Sequence, residues 1–231
     1  MSHDKIIRPV ARIHTDFPSK FGIPRQSGLV HSRARIVMEP DYAFPEAFRE
    51  LDGYSHIWLI WGFSANEEAP WSPTVRPPRL GGNVRVGVFA SRSPFRPNGL
   101  GLSVVRLLEV RPEENPRPVL IVSGADLMDQ TPIYDIKPYM PYSDSIPDAA
   151  GGYAASAKDK HLAIHCAPEL LALIPEEKRP ALMDALALDP RPAYQEDPER
   201  VYGMQYAGFD VHFLVSGEEL TIVAIEGDKG P

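Results

Sequence analysis

LSVVRLLEV, Leu102 to Val110, is followed after a proline-rich break by VLIVS, Val119 to Ser123. Two apolar runs of strand length, rich in β-branched residues and separated by a turn, read as consecutive antiparallel strands. The same texture extends outward along the chain. Ile6 to His14, Arg35 to Met38, Ile57 to Phe63 and Val84 to Phe89 are further short apolar runs bounded by Pro and Gly. Only Pro45 to Leu51 reads as a helix among them, with Phe44, Phe48 and Leu51 on one face and Gly53 past its end. So many strands with so few helices exclude a doubly wound α/β sheet. The expected class is mainly β, an antiparallel sheet or barrel that closes its strands without exposed edges.

Around Gly151-Gly152 the sequence becomes small and weakly patterned, which places a boundary between residues 1–150 and residues 151–231. Beyond it the composition is that of a small α+β unit. His161 to Ala167 reads as a strand, Pro168 to Ile174 and Glu176 to Leu188 as helices, and Tyr202 to Ile225 as a hairpin-like run.

The chain has 231 residues, 43% of them hydrophobic and 24% charged, which is enough for a sizeable core. Its 25 prolines, about twice the usual share, favour turns over long helices. One cysteine, Cys166, excludes an intramolecular disulfide framework and any multi-cysteine metal site, and fits a reducing cytoplasm. Met1 to Ser19 has no apolar core of signal-peptide length, and Ile57 to Phe63 is too short to span a bilayer, so neither secretion nor a membrane is expected.

Formal charge is −7 overall, which by itself argues against a nucleic-acid partner. The distribution reverses that argument. Residues 1–111 carry 15 Lys+Arg and 10 Asp+Glu, a net of +5, leaving −12 for the rest. Between Ala69 and Leu108 there is no acidic residue, yet the stretch holds Arg76, Arg79, Arg85, Arg92, Arg96 and Arg106. A lysine-free arginine stripe suits bidentate contact with phosphate or carboxylate and stacking on bases. The alternative is that these arginines pair with the acidic C-terminal half or with a second subunit.

Familiar site chemistries are absent from the sequence. It contains no G-x-G-x-x-G after a strand, no P-loop, no G-x-S-x-G and no H-E-x-x-H. His161 and His165 are four apart but lie in a β-like run without an intervening glutamate, so no metal is expected. Three polar stretches stand out instead: FASRSPFRPNGLGLS at Phe89 to Ser103, DLMDQTPIYDIKPYMPY at Asp126 to Tyr142, and DPRPAY at Asp189 to Tyr194. Each is stiffened by proline, and each presents charged and aromatic groups on a loop at low entropic cost. Read as bland structure, each is a rigid surface turn.

Together with FGIPRQSGLV (Phe21 to Val30), LDGYSHIWLIWGF (Leu51 to Phe63) and PTVRPPRLGGNVRVGVFASRSPFRPNGLGLS (Pro73 to Ser103), these motifs resemble the TrmO (TsaA-like) family over nearly the whole chain. The resemblance implies a single-sheeted antiparallel β-barrel with a small C-terminal α+β domain, assembled as a homodimer. It implies an S-adenosylmethionine-dependent tRNA methyltransferase that acts on N6 of threonylcarbamoyladenosine beside the anticodon. For the cofactor, S-adenosyl-L-methionine, it implies Arg25, Gln26, Ser64, Ala65, Arg92, Leu102, Asp126 and Asp129. The chain departs from the bacterial pattern at Ser64-Ala65, which stands in place of a His-Gln pair, so contact there is expected through the backbone. In the chemistry, Asp135 and Asp189 are the available bases, Lys137 and Arg191 could hold the threonyl carboxylate, and Tyr194 could stack on the adenine. The competing classes are a non-catalytic RNA- or nucleotide-binding barrel and a small-molecule methyltransferase.

Overall fold

The structure, a computed structural model, describes residues 5–66, 70–77, 83–156, 161–191 and 197–227. Six strands close into one antiparallel barrel: β1 (Ala11–His14), β2 (Arg33–Met38), β3 (His56–Gly62), β6 (Leu100–Arg111), β7 (Val119–Ser123) and β8 (Pro132–Pro138), in the order β1-β2-β7-β6-β3-β8. Closure comes from Ala11 pairing with Ile133, which joins the last strand to the first and leaves no edge exposed. Along β3 the apolar run alternates in burial. Ile57, Leu59 and Trp61 on β3 point inward with Val105 and Leu107 on β6, while His56, Trp58 and Ile60 are partly exposed outside. The barrel core is filled by side chains such as Ile13, Ile36, Leu120 and Ile133.

A second sheet, β10 (Tyr202–Tyr206), β11 (Phe209–Ser216), β12 (Glu219–Gly227) and β9 (Ala163–His165), forms in that order, with β9 parallel to β12 and the other pairs antiparallel. Against it packs α3 (Arg179–Ala187), which buries Ala181, Leu182, Ala185 and Leu186. This second core also takes in Phe17 and Val30, from the connection between β1 and β2. Gly22 in that connection has φ +90°, and a Cβ there would lie 2.2 Å from Met204 Sδ, so the crossing over β10 admits only glycine. Lys178 bonds Asp16 and the Ala207 amide donates to the Asp16 carbonyl at 2.8 Å, adding polar ties between the same segments. The β1–β2 connection is therefore clamped on the C-terminal core at both ends.

Several elements are shorter than the sequence pattern suggests. Pro45 to Leu51 is not an α-helix but two 3-10 turns, Pro45–Phe48 and Leu51–Gly53, broken by Glu50 in the left-handed region at φ 66°. Val84 to Phe89 reduces to β5 (Val86–Gly87), paired with β4 (Thr74–Val75), followed by a 3-10 turn over Val88–Ala90. In the first run the strand begins only at Ala11, and the run at Tyr202 to Ile225 is three strands rather than a hairpin. Helix Pro168 to Ile174 is a single turn, α2 (Pro168–Leu171), as short as α1 (Pro141–Asp144) after β8, and the next begins as a 3-10 turn at Glu176–Lys178 before α3.

Candidate functional site

At one rim of the barrel a cavity of about 320 Å³ opens between three loops and two strand ends. Pro24, Arg25 and Gln26 reach it from the tip of the β1–β2 connection, Trp61 and Phe63 from the end of β3, and Gly101 and Leu102 from the start of β6. Ser91, Arg92 and Arg96 come from the loop before β6, and Asp126 from the segment after β7.

Each wall has a local reason for its position. Gly28 and Gly124 both have positive φ, and the Gly28 amide donates to the Gly124 carbonyl at 2.8 Å, which draws the first loop onto the segment carrying Asp126. Arg96 donates to the Ser91 carbonyl at 2.6 Å and the Val88 carbonyl at 3.2 Å, so it braces the arginine loop from within. Arg92 Nη1 then donates to Gln26 Oε1 at 2.5 Å and joins that loop to the β1–β2 tip. Phe63 packs edge-on against Trp61 with ring centroids 4.4 Å apart, and its amide donates to the Gly99 carbonyl at 3.0 Å.

Trp61 and Gly101 are directly opposite on β3 and β6. A Cβ on Gly101 would lie 2.3 Å from Trp61 Cε2, so the absence of a side chain lets the indole lean across β6. There Trp61 Nε1 donates to Ser103 Oγ at 3.0 Å, and Ser103 Oγ donates to Asp126 Oδ1 at 2.6 Å. Burial pushes the Asp126 carboxyl above the usual range, while the Ser103 hydroxyl, its own backbone amide, Arg92 and the Ser27 amide favour the ionised form.

The other residues singled out in the sequence are distributed more widely. Ser64 and Ala65 form a 3-10 turn directly after Phe63 without entering the cavity wall. Asp129 also does not line the cavity; its carboxylate accepts the Thr15 amide at 3.0 Å and the Gln130 side chain at 3.2 Å. Asp135 and Lys137 form an exposed ion pair of 2.9 Å along β8. Asp135 is opposite Ile60, which is opposite Leu102, so two strand spacings, about 10 Å, separate that pair from the cavity rim. Asp189, in the left-handed region at φ 51°, grips Arg191 through two bonds of 2.9 and 3.0 Å. With its side chain 11% exposed and its guanidinium 6.0 Å from the centre of the Tyr202 ring, Arg191 has its fork already occupied by Asp189. The Asp189 carbonyl accepts from Arg25 Nη2 at 2.8 Å, which ties the DPR turn to the cavity loop. Tyr194 lies outside the described residues, as does Arg79.

None of Arg76, Arg85, Arg92, Arg96 and Arg106 makes an ion pair with a carboxylate among the described residues, although Arg92 acts electrostatically on Asp126 across the cavity. A larger concavity of about 500 Å³ lies beside β2, but most of its charges are matched in pairs, Arg35 and Arg111 with Glu114 and Lys178 with Asp16. Among the described residues no group of three His, Cys, Asp or Glu side chains could hold a metal ion, and no helix is long and apolar enough to cross a membrane.

Sequence reasoning missed Trp61, Phe63, Ser103 and Gly101 as a connected wall. Their signal was present in the alternation of β3 and β6, but only strand register brings Trp61 opposite Gly101.

Fold and cavity together define a closed-barrel ligand-binding protein whose rim site offers a carboxylate, a guanidinium and an aromatic wall. The chain belongs to the TrmO family: residues 12–145 match the tRNA-methyltransferase O N-terminal domain and residues 160–228 the TrmO C-terminal domain, in agreement with the resemblance carried by the motifs. It is 41% identical to the tRNA (adenine(37)-N6)-methyltransferase of Escherichia coli strain K12, over 93% of this chain and 94% of that protein. It is 46% identical to the protein of the same name from Eikenella corrodens, over 77% of this chain and 99% of that one. The crystal structure of TrmO from Pseudomonas aeruginosa matches it with a TM-score of 0.76 at 31% identity, covering 98% of this chain and 100% of that chain.

Proposed function

We propose that this protein is a cytoplasmic S-adenosylmethionine-dependent tRNA methyltransferase that methylates N6 of the adenosine beside the anticodon, on a base already carrying threonylcarbamoyl. The observation that carries the reading is the composition of the rim cavity. The cofactor has a sulfonium and an ammonium, a carboxylate, two ribose hydroxyls and an adenine, so its site needs acceptors, a cationic donor and a flat apolar wall. Asp126 supplies the acceptor, Arg92 the donor, and Trp61, Phe63 and Leu102 the apolar surface. The donor set fits.

When bound, the cofactor supplies an electrophilic methyl group on sulfur. The chain's residues have three remaining tasks. The acceptor nitrogen is acylated, its lone pair is withdrawn into the carbonyl, and attack requires its proton to leave as the nitrogen–carbon bond forms and the carbon–sulfur bond breaks. Asp135 is the carboxylate on the row that runs from the cavity rim across β3, and Lys137, paired with it at 2.9 Å, is opposite in charge to the threonyl carboxylate. Asp189 and Arg191, bonded to each other, hold the DPR turn against Arg25 at the same rim, and Tyr194, from the same sequence motif, is the ring assigned to the adenine. Arginines 76 and 85, not ion-paired with a carboxylate among the described residues, suit the phosphates of an anticodon arm. The outer face of β6, with Leu102 54% and Leu108 41% exposed, suits a second copy of the chain, a homodimer.

Calorimetry with S-adenosylmethionine tests the first half of the proposal: affinity in the micromolar range that falls in Arg92→Ala supports it, and no binding leaves an RNA-binding barrel. A small-molecule methyltransferase would bind the cofactor and leave tRNA unlabelled.

A further inference from the structure

We propose that Trp61 and Ser103 are positioning residues that hold the Asp126 carboxylate in one acceptor orientation at the cavity wall, selecting a ligand that presents hydroxyl donors or a cation there. The identity of that ligand as S-adenosylmethionine rests on the reading above; the relay itself does not.

The direction of the relay follows from what each group is able to do. An indole N–H donates and cannot accept, so Ser103 Oγ must receive at the 3.0 Å contact. Its own proton is then directed along the 2.6 Å contact to Asp126 Oδ1. Ser103 is 1% exposed and Trp61 8%, so water does not compete for either bond. Gly101 makes the arrangement possible, because any side chain there would occupy the space of the indole. The chain thus runs one way, from β3 through β6 to the carboxylate after β7, and ends in an oxygen committed as acceptor. The Ser103 bond commits Oδ1 as an acceptor, and while the carboxyl is ionised the group offers lone pairs only.

Ionisation of Asp126 is contested by its surroundings. Burial opposes the charge, and Ser103 on β6 is the strongest opposing influence, joined by Arg92 from the arginine loop and the Ser27 amide from the β1–β2 connection. Removing the Ser103 hydroxyl therefore favours the neutral acid, and the loss of acceptor character should be felt at a higher pH than in the wild type.

The test has two readouts. In the free protein, the Asp126 carboxyl carbon is followed by NMR across pH in the wild type, Ser103→Ala, Ser103→Thr and Trp61→Phe. In parallel, calorimetry gives S-adenosylmethionine affinity between about pH 5 and about pH 8. Ser103→Ala should move the Asp126 midpoint upward and weaken the cofactor about tenfold more at the acid end than at the alkaline end, the worth of one hydrogen bond to a charged group. Ser103→Thr, which keeps the hydroxyl, should follow the wild type. Trp61→Phe, which keeps a ring over Gly101 but removes the donor, should move the midpoint in the same direction by less. An unchanged midpoint in Ser103→Ala, or an affinity reduced by the same factor at every pH, overturns the proposal. Should Ser103→Ala fail to fold, an unchanged midpoint in Trp61→Phe does so. A wild-type protein that binds no cofactor at any pH removes the functional reading instead, and the NMR midpoints still decide the relay.

Discussion

Replacing Gly101 by alanine should damage the protein far more than the addition of one methyl group suggests. The new Cβ would sit 2.3, 2.5 and 2.6 Å from three atoms of the Trp61 indole, where ordinary carbon contacts begin near 3.4 Å. The ring must retreat by about 1 Å, but it is buried and wedged against Phe63, with its N–H on Ser103. Overpacking of this kind costs about 1–3 kcal/mol, and losing the indole hydrogen bond adds about 1 kcal/mol. The smaller entropy of the unfolded alanine chain returns about 0.4–1 kcal/mol. The net is about 1–3.6 kcal/mol, which for a chain of this length lowers the melting temperature by about 2–14 °C. Gly53→Ala provides the comparison, since nothing lies within 4 Å of its added Cβ, and it should melt like the wild type or slightly higher. Thermal melts by circular dichroism read the stability, and calorimetry reads cofactor affinity, which should fall because the displaced indole forms part of the cavity wall. Gly101→Ala melting within a degree of the wild type and binding S-adenosylmethionine normally would refute the packing argument for that wall.

Other perturbations separate stability from function. Asp126 is raised by burial, so the folded protein holds its proton more tightly than the unfolded chain; its contribution to stability is lost as pH rises through the folded midpoint. Asp126→Asn should accordingly melt at or above the wild-type temperature at neutral pH, with a difference that narrows on acidification, while cofactor affinity falls tenfold or more. Arg92→Ala should weaken the cofactor about tenfold, because among the described residues no other guanidinium donates to Gln26, and leave the melting temperature within about 2 °C. Arg76→Ala and Arg85→Ala should spare cofactor affinity but weaken tRNA binding and flatten its dependence on salt; unchanged binding in both would assign the stripe to a subunit contact. Arg191→Ala should cost both stability and methyl transfer, since it breaks a two-pronged bond to Asp189, and Arg191→Lys should not restore either; melts and a labelling assay on the same samples check this.

What the sequence disclosed and what it hid divide along a physical line. The apolar runs of β2, β3, β6 and β7 are local, so those strands and the mainly β class could be read from the residues alone, whereas a closed barrel rather than an open sheet was what the family resemblance implied. Element ends were less legible. Nothing in Pro45 to Leu51 announces that Glu50 adopts φ 66° and splits the expected helix, or that Val84 to Phe89 bends into a 3-10 turn after two paired residues. Within the site, Arg25, Gln26, Arg92, Leu102 and Asp126 were legible through the motifs, and they converge on one cavity. Trp61 to Ser103 to Asp126 was not, because it depends on a cross-strand register that no single segment encodes. Arg191 illustrates the reverse case: its residue type suits a substrate carboxylate, but the neighbouring Asp189 in its unusual backbone conformation already satisfies the fork.

The most direct test of the central claim is mass spectrometry of nucleosides from tRNA incubated with the protein and S-adenosylmethionine. The tRNA is drawn from cells able and unable to make threonylcarbamoyladenosine. The account predicts that threonylcarbamoyladenosine becomes one methyl group heavier in the first pool, with the new methyl on N6, and that the second pool gains no methylated adenosine. A methylated adenosine in the second pool, or none in either with a protein that binds the cofactor, would contradict it.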